Sequence, residues 1–197
     1  MQAAAELFTA HDYDDVTVAR IAEVAGVSTR TFFSYFPSKE DVLFADTHTR
    51  LEQALQSMAD RVPGESPVDL LVRAVRRALP ASFSPGPGPE VSGSALPSLY
   101  GVRLRLNHST PQIQAGAMRR LQEAQQLLSR ALLAAFPERL TAVEAAALVG
   151  AFIGGISNAV IFCLAEDPDL PDTSQVAFEA LEVVRRRLPE LDRGAEG

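Results

Sequence analysis

Apolar residues recur three or four positions apart over long stretches of this chain. Such stretches cover residues 44–62, 71–79, 113–135 and 177–188, and each ends at or just before a proline: Pro63, Pro80, Pro137 and Pro189. This spacing places the apolar side chains on one face of an α-helix, and proline does not continue a helix. No stretch shows convincing strand alternation, so the pattern predicts an all-α protein.

Small polar residues mark the starts of these helices. At four places one stands three positions before an acid or an amide, which is the spacing of a capping box: Ser38 with Asp41, Ser66 with Asp69, Thr141 with Glu144, and Asp172 with Gln175. Thr110 followed by Pro111 predicts a further helix start. The Pro- and Gly-rich residues 84–94 predict a loop.

The first fifty residues predict shorter helices joined by tight links. An opening helix carries three apolar residues on one face, Ala4, Leu7 and Phe8. Thr17 is placed to cap a second helix with four apolar residues on its inner face, Val18, Ile21, Ala22 and Ala25. Gly26 can then turn the chain in the left-handed conformation, Val27 is placed to fill the crevice, and Ser28 can cap a third helix. This is the layout of a helix-turn-helix.

The third helix predicts a surface suited to DNA. Phe32 and Phe36 are four apart and share the inner face, which leaves Thr29, Arg30, Phe33 and Ser34 outward. Residues 26–39 contain no acid, although the chain has 25 Asp and Glu against 18 Lys and Arg and a net charge of -7. Arginine reads guanine in the major groove, and apolar groups meet the thymine methyl. A carboxylate there would face a row of phosphates.

Phosphates beside the groove are expected to contact Thr17, Tyr35 and Lys39. An alternative remains open from the residues alone. Arg30 and Lys39 could be ordinary solvated charges, and a helix-turn-helix shape also occurs in proteins that do not bind DNA.

Residues 145–164 form an uncharged run of twenty that contains Gly150 and Gly154 in G-x-x-x-G spacing. A membrane span is one interpretation. The many small residues and the acids that follow, Glu166 and Asp167, favour a helix buried on nearly all sides. The single cysteine, Cys163, and the lack of a charged, then apolar, leader predict a cytoplasmic protein.

Residues 17–44, "TVARIAEVAGVSTRTFFSYFPSKEDVLF", resemble the signature of the TetR family of transcriptional regulators, and the similarity extends back to about Ala4. The resemblance implies a three-helix DNA-binding domain, residues 1–44. A long fourth helix joins it to an effector-binding and dimerisation domain, residues 45–197. The implied DNA-facing set is Thr17, Ser28, Thr29, Arg30, Thr31, Phe33, Tyr35 and Lys39.

Two departures from the family pattern affect this expectation. Many members have Tyr where this chain has Phe33, and His where it has Tyr35. Phe33 cannot donate a hydroxyl to phosphate, so its contact should be apolar. Members also commonly carry a basic arm before the first helix, and the printed sequence opens inside that helix, so we expect the arm to be missing from it.

The resemblance also implies dimerisation through the last two long helices, residues 141–165 and 172–188. The expected interface residues are Gly150, Phe152, Gly154, Ile156, Leu181 and Val184. The two glycines allow close helix approach across a two-fold axis; alternatively, they only relieve crowding within one subunit.

An effector pocket is expected among the middle helices. Its candidate lining is Tyr100, Arg103, Leu106, Met118, Leu121 and Phe152. Arg103 and Arg105 could pair with an anionic ligand, or at least one of them is a surface charge. The apolar candidates could equally be core residues.

An enzyme is the rival class. His11, His48 and His108 lie far apart without a metal-binding motif, and no glycine-rich phosphate loop follows a strand. We therefore expect no catalytic residue, metal or cofactor. The predicted function is a homodimeric, sequence-specific DNA-binding regulator. It is most simply a repressor released from a palindromic operator by a small amphipathic or hydrophobic ligand. The alternative is a helical ligand-binding or scaffolding dimer without operator binding.

Overall fold

The computed structural model describes residues 1–78, 102, 103, 106, 110–167 and 173–187. Within those residues all regular structure is helical, which confirms the predicted all-α class. The first three helices are α1 (Gln2–Ala10), α2 (Val18–Val24) and α3 (Thr29–Tyr35). A 3-10 turn (Asp41–Phe44) precedes the longer helices α4 (Thr47–Ala59), α5 (Pro67–Ala78), α6 (Pro111–Ala135), α7 (Ala142–Glu166) and α8 (Thr173–Arg187).

The chain divides into two compact units. The first contains residues 1–48 and the described part of 89–120; the second contains the described part of 49–88 and of 121–197. The first unit therefore takes in the start of α6 as well as the three short helices. The predicted domain boundary after Phe44 stays a prediction.

The helix starts follow the capping pattern of the sequence. Thr17 accepts a hydrogen bond from the Arg20 amide, and Ser28 accepts one from the Thr31 amide. Thr141 and Glu144 form a complete capping box at the start of α7. The predicted pairs Ser38–Asp41 and Ser66–Asp69 form half of a box: the Asp amide donates to the Ser hydroxyl oxygen, and the Ser hydroxyl donates to the Asp carboxylate. The fourth box, at Asp172, and the loop predicted over residues 84–94 lie outside the described residues.

The core of the first unit is built from the buried faces of its short helices and the start of α6. Its larger side chains are Leu7, Phe8, Tyr13, Ile21, Phe32, Val42, Leu43, Phe44 and Ile113. Two expectations about the inner face of the helix-turn-helix are wrong. Ala25 is exposed because α2 ends at Val24, and Val27 is exposed because the turn carries its side chain outward.

The segment expected to form one continuous fourth helix is interrupted. It forms the 3-10 turn first, and α4 begins only at Thr47. In a continuous helix the Leu43 carbonyl would accept from the Thr47 amide. Here the Arg103 guanidinium lies 3.5 Å from that carbonyl and 3.0 Å from the Thr47 hydroxyl. An arginine therefore stands where the helical hydrogen bond would form.

Two arginines hold the buried Phe44 ring at this interruption. The guanidinium of Arg120, on α6, lies 4.1 Å from the ring centre, and that of Arg103 lies 5.2 Å from it. Arg120 also forms an ion pair with Asp41 at 2.6 Å. The 3-10 turn that follows α3 is thus fixed to α6 by charge and by a cation–π contact.

Helix α7 has one buried and one open face. Successive residues on a helix turn by about 100°. Leu148, Phe152, Ile156 and Val160 lie on the buried side. The opposite side carries Val143, Ala147, Ala151 and Phe162, all exposed in the single chain.

This helix is long and apolar enough to cross a membrane by length and composition, with a mean hydropathy of 2.1 over its most apolar window and 33% of that window buried. The expectation that it is buried on nearly all sides is wrong for the single chain, because only the side facing its neighbours is covered.

The second unit packs α7 against α8. Phe152 and Leu181 are both completely buried. Gly155 marks the closest approach, since a Cβ placed on it would lie only 2.9 Å from Val184 Cγ2. Ion pairs join α8 to α5, one between Arg76 and Glu182 and one between Arg185 and Asp69.

Candidate nucleic-acid interface

The turn between α2 and α3 depends on one glycine. Gly26 has a φ of 69°, in the left-handed region that favours glycine. The turn is closed by the Val27 amide, which donates to the Ala22 carbonyl at 2.9 Å. This geometry ends α2 and brings Ser28 into position to cap α3, as the sequence predicted.

Helix α3 separates an inner from an outer face. Phe32 is buried and Phe36 packs against the same core, with their ring centres 5.4 Å apart. Phe33 is 54% exposed and Tyr35 is 75% exposed. Thr29, Arg30, Thr31 and Ser34 are exposed as well. The predicted division of the aromatic residues is therefore confirmed.

Several hydroxyl groups on this helix already have partners. Ser28 Oγ and Thr31 Oγ1 lie 2.9 Å apart, so one of these hydroxyls donates a hydrogen bond to the other. Ser34 donates its hydroxyl proton to the Thr31 carbonyl at 2.7 Å. Among the described residues, by contrast, no carboxylate or carbonyl holds the Arg30 side chain. Arg30 therefore has its full set of donors available for DNA.

Lys39 is held in place by the loop between α1 and α2. Its Nζ donates to the Tyr13 carbonyl at 2.7 Å and lies 3.8 Å from the centre of the Tyr13 ring. An ammonium has three protons, so a bond to the carbonyl leaves two for a phosphate. Lys39 is thus a fixed positive charge rather than a mobile one.

Tyr13 also holds the residue next to Lys39. Its hydroxyl donates to Glu40 Oε1 at 2.6 Å. Burial raises the pKa of the Tyr13 hydroxyl far above its usual value, and the bond to Glu40 raises it further. Burial alone would raise the pKa of Glu40, but the hydrogen bond from Tyr13 and smaller contributions outweigh it, so that pKa lies below its usual value. The local sequence pattern gives no sign of this link, because 26 positions separate Tyr13 from Lys39.

Replacing Tyr13 with phenylalanine should remove the Glu40 bond and keep the ring and the carbonyl that hold Lys39. Because solvent reaches Glu40, we expect a loss of about 1 kcal/mol in the free energy of unfolding at pH 7. Glu40 has a lowered pKa in the folded state, so this stabilisation exists above its unfolded pKa and disappears as the pH falls through the folded value. Urea unfolding of the unmodified protein and of Tyr13→Phe, at pH 7 and at a pH well below 4.5, measures this pH-dependent stabilisation. Tyr35→Phe is the control, and an equal Tyr13→Phe effect at both pH values would contradict the assignment.

The surface around α3 has few positive charges. Residues 1–48 contain eight acids and only three basic residues, Arg20, Arg30 and Lys39. Arg20 is paired with Glu23 at 2.7 Å. Arg30 and Lys39 are therefore the two cations of the acid-free segment that can face phosphates or bases, and binding should depend on specific contacts more than on general charge.

Comparison with known proteins agrees with this geometry. A family model described as bacterial regulatory proteins, tetR family, matches residues 1–45, which include all of α1, α2 and α3. The TetR resemblance seen in the sequence is thus confirmed over residues 1–45.

Two relatives extend the similarity beyond the helix-turn-helix. The HTH-type transcriptional regulator TcmR of Streptomyces glaucescens is 34% identical over 131 residues, 66% of this chain and 56% of the relative. MftR of Mycobacterium tuberculosis, provisionally named a mycofactocin biosynthesis transcriptional regulator, is 35% identical over 115 residues, 58% of this chain and 52% of the relative. The chain thus spans about half the length of the curated relatives it matches.

The DNA-facing residues implied by the TetR resemblance all lie on or beside α3, apart from Thr17, which is exposed at the start of α2. Ser28 and Thr17 are helix caps, so their oxygen atoms already accept backbone amides. The contacts of these residues with DNA themselves stay predictions.

The expected effector-binding residues are not gathered into one site within either compact unit. In the first unit, Arg103 contacts Phe44 and Thr47, Leu106 packs against the core, and Met118 is exposed. In the second, Leu121 is half-buried and Phe152 is completely buried. Tyr100, like Arg105, lies outside the described residues. The effector pocket stays a prediction.

The expected dimer residues divide by exposure. Phe152, Ile156 and Leu181 are buried within one chain, so they contribute core and not surface, and Val184 contacts Gly155 of its own chain. Gly150 and Gly154 are half-buried, and a Cβ on either would meet no atom of the described residues within 4 Å. A partner of this chain would therefore have to meet the glycines and the open face of α7.

Proposed function

We propose that the chain is a sequence-specific DNA-binding transcriptional regulator that acts in the cytoplasm as a repressor. The observation that carries the proposal is the outer face of α3. It presents an exposed phenyl ring and a guanidinium that no described residue binds, with no carboxylate between residues 26 and 39. A major groove offers acceptors and methyl groups to such a surface and surrounds them with phosphates.

We propose that the protein acts as a homodimer on a palindromic operator. The open apolar face of α7 supports this, because an exposed stripe of alanine, valine, phenylalanine and glycine is stabilised when a second copy covers it. A two-fold dimer presents two copies of α3, and these would read half-sites about one helical turn apart.

The proposed regulation is release of the operator by a small amphipathic or hydrophobic ligand. Support comes from the family and from the size of the helical region beyond residue 48. Adding candidate ligands to a preformed protein–operator complex and following the bound fraction tests it. A complex that persists with every ligand that itself binds the protein would contradict release.

Two substitutions on the interface test operator binding and should act differently. Arg30→Ala should weaken binding of the preferred operator by about 1–3 kcal/mol and relax the preference at one base pair. Lys39→Ala should weaken all sequences alike and reduce the slope of log affinity against log salt by about 1. Fluorescence anisotropy with an operator selected from random duplex DNA, at several salt concentrations, measures both effects.

The matched control is Arg119→Ala, which removes an exposed arginine of α6 and should leave affinity and salt slope unchanged. Thermal unfolding verifies that each variant is folded. If Arg30→Ala and Lys39→Ala both bind the operator as well as the unmodified protein does, the interface lies elsewhere. If random duplex DNA yields no binding sequence at all, the chain is instead a ligand-binding or scaffolding dimer.

A further inference from the structure

The outer face of α3 limits which bases the protein can contact, beyond DNA binding in general. Successive side chains turn by about 100°, so Arg30 and Ser34 point farthest from the buried Phe32 and Phe36, with Phe33 beside Arg30. Ser34 donates its hydroxyl hydrogen bond to the Thr31 carbonyl. While that bond is made, Ser34 can accept a hydrogen bond but has no second proton to donate to a base. The donors at the centre of the face therefore belong to Arg30.

Arg30 selects one base by geometry. Its planar guanidinium presents paired N–H donors, and in the major groove guanine is the base with two acceptors side by side, N7 and O6. Adenine places a donor beside its N7 and thymine has one acceptor. Since no described residue holds the Arg30 side chain, forming this pair breaks no bond within the protein.

Phe33 selects a different group. Its ring meets the buried Phe32 edge-on, with centres 5.6 Å apart and planes at 90°, so the core fixes its orientation. More than half of Phe33 is exposed, and the ring has no hydrogen-bonding atom. The apolar group that a base pair offers in the major groove is the C5-methyl of thymine.

The spacing of Arg30 and Phe33 determines how far apart the two contacted bases can lie. Arg30 and Phe33 are three positions apart, which is about 4.5 Å along the helix axis, and stacked base pairs are about 3.4 Å apart. Guanine pairs with cytosine and thymine with adenine, so the two contacts fall on different base pairs, which are neighbours or at most about two steps apart.

We infer that each operator half-site contains a guanine read by Arg30 and, within two base pairs, a thymine whose methyl group contacts Phe33. This inference rests on the proposed function, and it adds the base chemistry of the sequence that the protein recognises. The serine and threonine hydroxyls of α3 then act mainly as caps and internal bonds.

The experiment alters single atoms of the DNA. An operator is first selected from random duplex DNA with the full chain. Each thymine of a half-site is then replaced by deoxyuridine, which lacks only the methyl, and each guanine by 7-deazaguanine, which lacks only the N7 acceptor. At one thymine the loss should be about fourfold, the effect of one buried methyl group. At one guanine it should be about tenfold, the effect of one lost hydrogen bond.

The protein variants assign each loss to its residue. Phe33→Ala should bind the thymine and deoxyuridine operators equally, and Arg30→Ala should not distinguish guanine from 7-deazaguanine. Tyr35→Ala, a change at the other exposed aromatic residue of α3, should keep both distinctions. Circular dichroism confirms that each variant is folded.

The outcomes separate the two proposals. If the chain binds selected DNA but no thymine-to-deoxyuridine change matters, or if Phe33→Ala still distinguishes them, the base assignment is overturned and operator binding stands. If a sensitive guanine and thymine lie more than two base pairs apart, the assignment is also overturned. If the chain enriches no DNA sequence, the proposed function fails and this inference fails with it.

Discussion

Replacing Phe152 with alanine should lower the free energy of unfolding by about 3–5 kcal/mol, the usual range for a fully buried phenylalanine. Phe152 lies at the middle of α7 and has no exposed surface. Removing its ring takes away buried apolar area and leaves a cavity that the surrounding helices only partly close. Urea unfolding followed by circular dichroism, at one fixed protein concentration, measures the difference.

The matched control for this substitution is Phe33→Ala. It removes the same ring from an exposed position, so we expect a loss below about 1 kcal/mol. If Phe152→Ala costs no more free energy of unfolding than Phe33→Ala, the Phe152 ring is not essential to the core. Phe152 could then line an open pocket, as its sequence context alone also allowed.

The elements of the fold were predictable because they depend on neighbours three or four positions apart. The Thr17 and Ser28 caps, the glycine turn at Gly26 and the inward pair Phe32 and Phe36 all follow from such local spacing. The exposed ring of Phe33 follows from the same pattern, since the position next to an inward residue turns toward solvent. The candidate DNA-facing surface could be assembled from sequence for this reason.

Contacts between distant parts of the chain were not predictable in this way. Lys39 binds the carbonyl of Tyr13, and Arg120 of α6 pairs with Asp41, 79 positions earlier. Neither pair has a local spacing that marks it. The interruption before α4 has the same origin, since Arg103 contacts the Leu43 carbonyl from 60 positions away.

The sequence shows the glycines of α7 but leaves their role in dimerisation ambiguous. The G-x-x-x-G spacing describes Gly150 and Gly154 and says nothing about which side of the helix they occupy. The position of a residue relative to the buried residues Leu148 and Phe152 decides that side. By this measure Gly155 lies next to the buried face, where it meets Val184, and Gly154 lies on the open one.

Replacing Gly154 with leucine should therefore separate dimerisation from folding. Among the described residues of one chain, a Cβ at Gly154 meets nothing within 4 Å, so the side chain can leave the backbone there without a clash. Leucine also favours a helix over glycine by somewhat less than about 1 kcal/mol. The folded single chain should be as stable as before or slightly more stable. Against a second copy of α7, however, a leucine would hold the two helices apart at their closest approach.

The expected result is a folded monomer that has lost most of its operator affinity. A dimer gains roughly 10²–10⁴ in affinity from engaging two half-sites at once, and a monomer loses that gain. Analytical ultracentrifugation measures the oligomeric state, and anisotropy measures binding to the full palindrome and to one half-site. The variant should bind the palindrome no better than the half-site.

The neighbouring Gly155→Ala variant is the control that should give the opposite result. Its added methyl would lie 2.9 Å from Val184 Cγ2 of the same chain, so the Val184 side chain or one of the two helices must shift. We expect a loss of about 1–3 kcal/mol in folding, with the surviving folded protein still dimeric and still bound to the palindrome. If Gly154→Leu remains a dimer with unchanged affinity, the open face of α7 is not the dimer interface, because a leucine side chain cannot fit where two helices meet at glycine.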